Sequence, residues 1–241
     1  MPALSDVELG MEQRAQESIS FGEGFVAQVA EDGSAPVSGP LAAFLDRCMA
    51  APDLRKSVRD SLPALLADVA HFLNISHGRL PGVVDHAAGK IVDPQARQWL
   101  THATSAFASE RAFLNSLTVA AGPIRRHLDQ DKIEALLATQ QRSFEMLATS
   151  DRKGCPAGAA MAFVLDWYVT RQVLDRAALM LSVKAQACAL PDVTVTVALA
   201  DALSGNAGVE RAMAFGSQQV LAQQKGLWHL IAARHHKMTT L

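Results

Sequence analysis

From Ser150 to Leu181 the chain reads SDRKGCPAGAAMAFVLDWYVTRQVLDRAALML: a polar opening, a turn at Gly154, then a helix that is apolar nearly all round. A helix without a polar face belongs inside a packed core or a membrane. The apolar run falls far short of the roughly 18 residues that span a bilayer, so a central position among other helices is expected. One carboxylate, Asp166, interrupts the run from Ala157 to Val169. Buried bare it would cost several kcal/mol, so it has to be hydrogen-bonded, paired or protonated. Asp166 is therefore the first place to look for a site, although a lone carboxylate names no chemistry.

The rest of the chain also reads as helix. Alanine and leucine are plentiful, tyrosine occurs once and β-branched residues are thinly spread, which favours helix over strand. Ser5 to Phe21 is amphipathic, with Ser5 and Glu8 spaced as a capping box, and a short second helix continues to Ala30. EDGSAPVSGP, Glu31 to Pro40, reads as a loop. Leu41 to Met49 forms a short helix, Asp53 to Asp60 a turn or two, and Ser61 caps a new helix with Pro63 in its first turn. Asn74 to Pro94 is turn-rich and holds at most a short helix near Gly82 to Ala88. Asp93 then caps a helix running from Pro94 to about Ala121. Further helices follow from Asp129 or Asp131 to Ala148, Pro156 to Val183, Pro191 to Leu203 (its TVTV notwithstanding) and Gly208 to Ala233. The expected fold is all-α, a single globular bundle of about seven to nine helices, because no βαβ alternation or internal repeat is present. The expected organisation is an acidic N-terminal helical segment and loop over residues 1–40, followed by a helical bundle domain over 41–241.

Several function classes find no support. The formal net charge of −2 recruits no nucleic acid. The charge is uneven: Asp6, Glu8, Glu12, Glu17, Glu23, Glu31, Asp32, Asp46 and Asp53 face only Arg14 and Arg47, so residues 1–53 carry −7. That head reads as a solvated face, or as a contact for a basic partner or the chain's own basic tail. Cys48, Cys155 and Cys188 are odd in number and widely spaced, which gives neither a disulfide framework nor a zinc knuckle. With no signal peptide or membrane span read in the sequence, a cytoplasmic protein that binds neither membrane nor nucleic acid is expected. Glu-x-x-His, GxGxxG, Walker A and Gly-x-Ser-x-Gly are all missing, so no cofactor and no metal are expected. Asp68 and His71 are the nearest echo of a di-iron motif and read as a surface contact. His71, His77, His86 and His102 lie close in sequence without ligand spacing. Cys155 sits at a helix N-terminus, which can lower a thiol pKa, but reads as structural.

The charged residues around the central helix form the candidate ligand site: Asp166, Arg171, Arg152, Glu110 and His102. Arg171 and Asp175 make an i, i+4 pair. Asp166 needs a partner from elsewhere, such as Arg152 or an arginine between Gly122 and His127. Gln218, Gln219, Gln223 and Gln224 beside Trp228 add amides that bind a polar ligand or face water.

Ser150 to Asp175, and Phe215 to Trp228 (FGSQQVLAQQKGLW), resemble an uncharacterised family of small helical proteins from sphingomonad-type alphaproteobacteria. The resemblance covers the C-terminal half, implies a cytoplasmic bacterial protein and carries over no catalytic residue. A general likeness to haem-oxygenase-like and ferritin-like bundles is one of fold alone. The sequence thus points first to a non-catalytic helical protein acting through protein contacts, as a homo-oligomer or with another protein. The alternative is a small-molecule-binding protein or enzyme with a polar pocket around Asp166. No catalytic residue is assigned.

Overall fold

The computed structural model describes residues 19–51, 56–124 and 130–235. Among the described residues it holds nine helices and no strand: α1 (Phe21–Asp32), α2 (Ala35–Ala50), α3 (Lys56–His77), α4 (Val83–Lys90), α5 (Pro94–Ala121), α6 (Gln130–Ala148), α7 (Cys155–Met180), α8 (Val193–Leu203) and α9 (Ala207–Arg234). The all-α bundle expected from composition is what forms.

Every residue of α7 from Cys155 to Trp167 is buried, so the apolar helix is the axis on which the others pack. Its closest neighbour is α9. A β-carbon at Gly158 would overlap the Met213 carbonyl oxygen, and one at Gly216 would overlap that of Cys155. The two helices therefore meet backbone to backbone, and glycine is what both crossing points require. Around this pair α2 packs along α7, α3 lies against α5, and α1 lies against α8. Phe25, Val29, Leu41, Phe44 and Leu45 of the first two helices share one apolar cluster with Phe72, Phe107, Phe163, Trp167 and Trp228.

Helix starts follow local capping chemistry. Ser20 Oγ accepts the Glu23 N–H while Glu23 receives the Ser20 N–H, a complete capping box. Asp93 accepts the amides of Gln95 and Ala96, and Asp192 that of Val195, which commits TVTV to helix. Pro63 does not follow a helix start: α3 already runs from Lys56, held by the buried Val58.

Glu31 to Pro40 departs from the loop expected there. α1 continues to Asp32, the chain bends only at Gly33 and Ser34, and α2 begins at Ala35. Pro36 sits in the first turn of α2, where a missing N–H costs nothing. The helix expected from Ser5 falls mostly outside the described residues, as do the Asp129 start, the arginines at 125 and 126, and Asp53. Among the described residues no helix is long and apolar enough to cross a membrane.

Candidate functional site

Asp166 finds its partner at the α1–α2 bend. Its Oδ1 accepts the Ser34 backbone N–H at 2.6 Å and its Oδ2 accepts the Ser34 hydroxyl at 2.5 Å. A β-carbon on Gly33 would stand 2.7 Å from Oδ1, so glycine is what lets the bend close onto the carboxylate. Asp166 is 1% exposed. Burial pushes its pKa up, opposed by the two Ser34 hydrogen bonds and the charge of Lys225. Asp166 lines neither the cavity at the end of α3 nor the groove between α5 and α8.

The other four expected ligand residues divide among three places. Arg171 and Glu110 do meet: Arg171 Nη1 donates to both Glu110 oxygens at 2.7 and 2.9 Å, and Trp167 Nε1 donates to Glu110 at 2.8 Å. Arg171 also holds Asp175 and the Gln186 carbonyl, and its guanidinium lies 4.4 Å from the Phe113 ring centre. This closed knot joins α5, α7 and the segment before α8. Arg152 is exposed at the start of α7, over the Phe215 ring rather than beside Asp166. His102 is exposed in an open groove between α5 and α8, with Trp99, Val195 and Leu199.

Two further sequence readings change. Asp68 is no surface residue: it is buried, and Arg234 Nε and His235 Nε2 each reach it at 2.7 Å, while His71 bonds the Gly122 carbonyl. Burial would raise the Asp68 pKa, but the hydrogen bonds from His235 and Arg234 outweigh it and hold the carboxyl below its ordinary value. Burial pushes the Cys155 thiol up, the opposite of an activated cysteine. Of the four glutamines, Gln224 is buried, whereas Gln218 and Gln219 are exposed.

A concavity lies at the end of α3. It measures about 250 Å³ and is bounded by His77, the turn over residues 78–82, Phe107 of α5, Phe144 of α6 and Phe163 of α7. His77, the last residue of α3, is 3% exposed. Its ring centre lies 5.3 Å from that of Phe144, 5.2 Å from Phe163 and 5.5 Å from Trp167. Its Nε2 has no hydrogen-bond partner. Burial lowers the His77 pKa to about 3, with the nearby Arg111 charge acting the same way and Gln224 opposing. The imidazole is thus neutral at pH 7, with one donor and one acceptor nitrogen.

The cavity floor is braced from behind. Arg111 stacks 4.9 Å from the Phe107 ring centre and pairs with Asp85, which also caps α4 by accepting the Gly82 N–H at 2.8 Å. The Gln224 amide lies near enough to His77 and Asp166 to bear on both titrations, yet neither its Nε2 nor its Oε1 is in hydrogen-bonding alignment. Arg111 Nε is likewise unpartnered. Buried polar atoms without partners are rare in native cores, and each one calls for a reason. Sequence reading grouped His77 with other histidines but gave it no role, because its aromatic walls come from helices far away along the chain. Among the described residues no group of three or more His, Cys, Asp or Glu is placed to hold a metal ion.

Residues 46–238 match a family of unknown function (DUF6975), well beyond the half of the chain that carried the resemblance noted from sequence. No curated protein and no solved structure matches the chain.

Proposed function

We propose that this chain, which belongs to the family of unknown function DUF6975, binds a small organic molecule in the cavity at the end of α3. One observation carries the reading: a buried, neutral His77 lines a cavity of about 250 Å³ walled by three phenylalanines. A concave site with apolar side chains and several polar groups in its lining has the general form of a small-molecule site. The sequence alternative of a pocket inside the bundle is thereby kept, and its centre moves from Asp166 to His77. The role proposed is binding, with no reaction assigned. Thermal unfolding in the presence of a panel of small organic molecules tests it. A ligand at a hundred times its Kd stabilises by about 2.7 kcal/mol. Binding that His77→Phe removes supports the site; a panel without one stabilising member contradicts it.

A second reading, action through protein contacts as a homodimer, is favoured by the open groove between α5 and α8. It holds about 630 Å³, and Val195 in its wall stands half exposed. Light scattering after size exclusion should then return a dimer, and a monomer at high concentration counts against it. A bacterial source of sphingomonad type rests on the two matching strings alone, and a cytoplasmic setting on those strings and the unpaired cysteines.

A further inference from the structure

The chemistry of the cavity walls limits what enters. Its inner surface is Phe107, Phe144, Phe163 and Val83, all buried, with Ser76 and His77 as buried polar groups. The Ser76 hydroxyl donates to Gln140 Oε1 at 3.1 Å, and the half-buried Gln141 amide donates to the Ile75 carbonyl. His77 is therefore the buried polar group of the wall with hydrogen-bonding capacity to spare, and the half-buried His86 also lines the wall. The nearest buried cation, Arg111, is already balanced by Asp85 and lies behind Phe107 and Gly82. Arg79 and Glu145, of opposite sign, are exposed at the rim. An anion moved in among the phenylalanines would lose its hydration, and the lining groups that can carry positive charge, Arg79 and His86, are more exposed to solvent than His77, which disfavours it. A neutral hydroxyl would lose much less and gain a hydrogen bond at the imidazole. For scale, an apolar cavity of about 150 Å³ holds one benzene.

We propose that the His77 cavity selects a small neutral molecule with a ring-sized apolar body and one hydroxyl-type group, and rejects the carboxylate of the same size. The inference rests on the small-molecule reading above and names its ligand class. The ring lies among Phe107, Phe144 and Phe163, and the hydroxyl meets His77.

Phenol, benzene and benzoate share one ring and separate the terms. They are titrated at neutral pH into the full chain, read by the unfolding temperature and by the NMR signals of the His77 ring. Phenol should stabilise the protein and shift the His77 signals. Benzene should bind about tenfold more weakly, the worth of one hydrogen bond. Benzoate should be at least as weak as benzene. His77→Phe should bring phenol down to the level of benzene, while His77→Gln, which keeps a donor and an acceptor, should restore part of the difference. Should either variant fail to fold, the three-ligand comparison on the unmodified chain decides alone. Benzoate binding as tightly as phenol overturns the selectivity and leaves the small-molecule reading standing. If none of the three moves the His77 signals but another member of the panel does, the ligand class is wrong. If nothing moves them, the site itself is wrong.

Discussion

Two buried ionisable side chains, Asp166 and His77, behave in opposite ways with pH, and each predicts its own measurement. Asp166→Ala leaves the buried Ser34 N–H without its acceptor, a loss of about 1–3 kcal/mol in chemical denaturation. Asp166→Asn keeps an acceptor and should cost less. Burial raises the folded pKa of Asp166, so its contribution to stability is full below the unfolded value and is lost as pH rises through the folded one. The wild type should therefore lose stability relative to Asp166→Asn on going from acid to neutral pH. His77 runs the other way. Its folded pKa lies at about 3 against an ordinary value of 6.5, so its contribution is present above 6.5 and lost as pH falls towards 3. Relative to His77→Gln, the wild type should lose on the order of 1 kcal/mol for each pH unit across that window. Equal pH profiles for the two proteins would show that His77 titrates freely.

Among the elements, the pairing of α7 with α9 is the tightest, and Gly158 is its most exacting position. Adding a methyl there forces backbone against backbone, with no flexible side chain to yield. Gly158→Ala should cost about 2 kcal/mol or more in thermal or chemical unfolding, at the upper end of overpacking effects. The same alanine at Gly24, where a β-carbon meets nothing, should stabilise or do little. Elements of this kind were largely legible in the sequence. Asp93 announced a helix start through a side-chain cap that lies within three residues of the amides it binds, and the helix expected from Pro191 forms behind the Asp192 cap. Glu31 to Pro40 was not legible, because its bend is held by Asp166, 132 residues away. Local composition there says loop, and a tertiary hydrogen bond says helix, bend, helix. The candidate site divides along the same line. Arg171 and Asp175 could be paired from their spacing, whereas the ion pair of Arg171 with Glu110, 61 residues away, could not. The partner of Asp166 was a serine rather than an arginine, and no periodicity reports which helices surround His77.

The molecule as a whole is tied together by its ends. Arg234 and His235, at the end of α9, clasp Asp68 inside α3, and Phe25, Val29 and Ser34 near the start pack on α7 and its neighbours. Deleting residues 1–40 removes Phe25, Val29 and Ser34 together, and should abolish the folded state or lower its melting temperature steeply. If the deleted chain folds as well as the full one, the division expected at residue 40 is a real domain boundary.

The proposed function requires a neutral His77 in the wall of a cavity that receives a small molecule. NMR of the His77 ring at neutral pH, with and without phenol, tests this most directly. The prediction is a neutral imidazole whose signals shift in a saturable way as phenol is added, with benzoate far weaker. An imidazole that titrates near 6.5, or signals that stay fixed through phenol and the full panel, would contradict it.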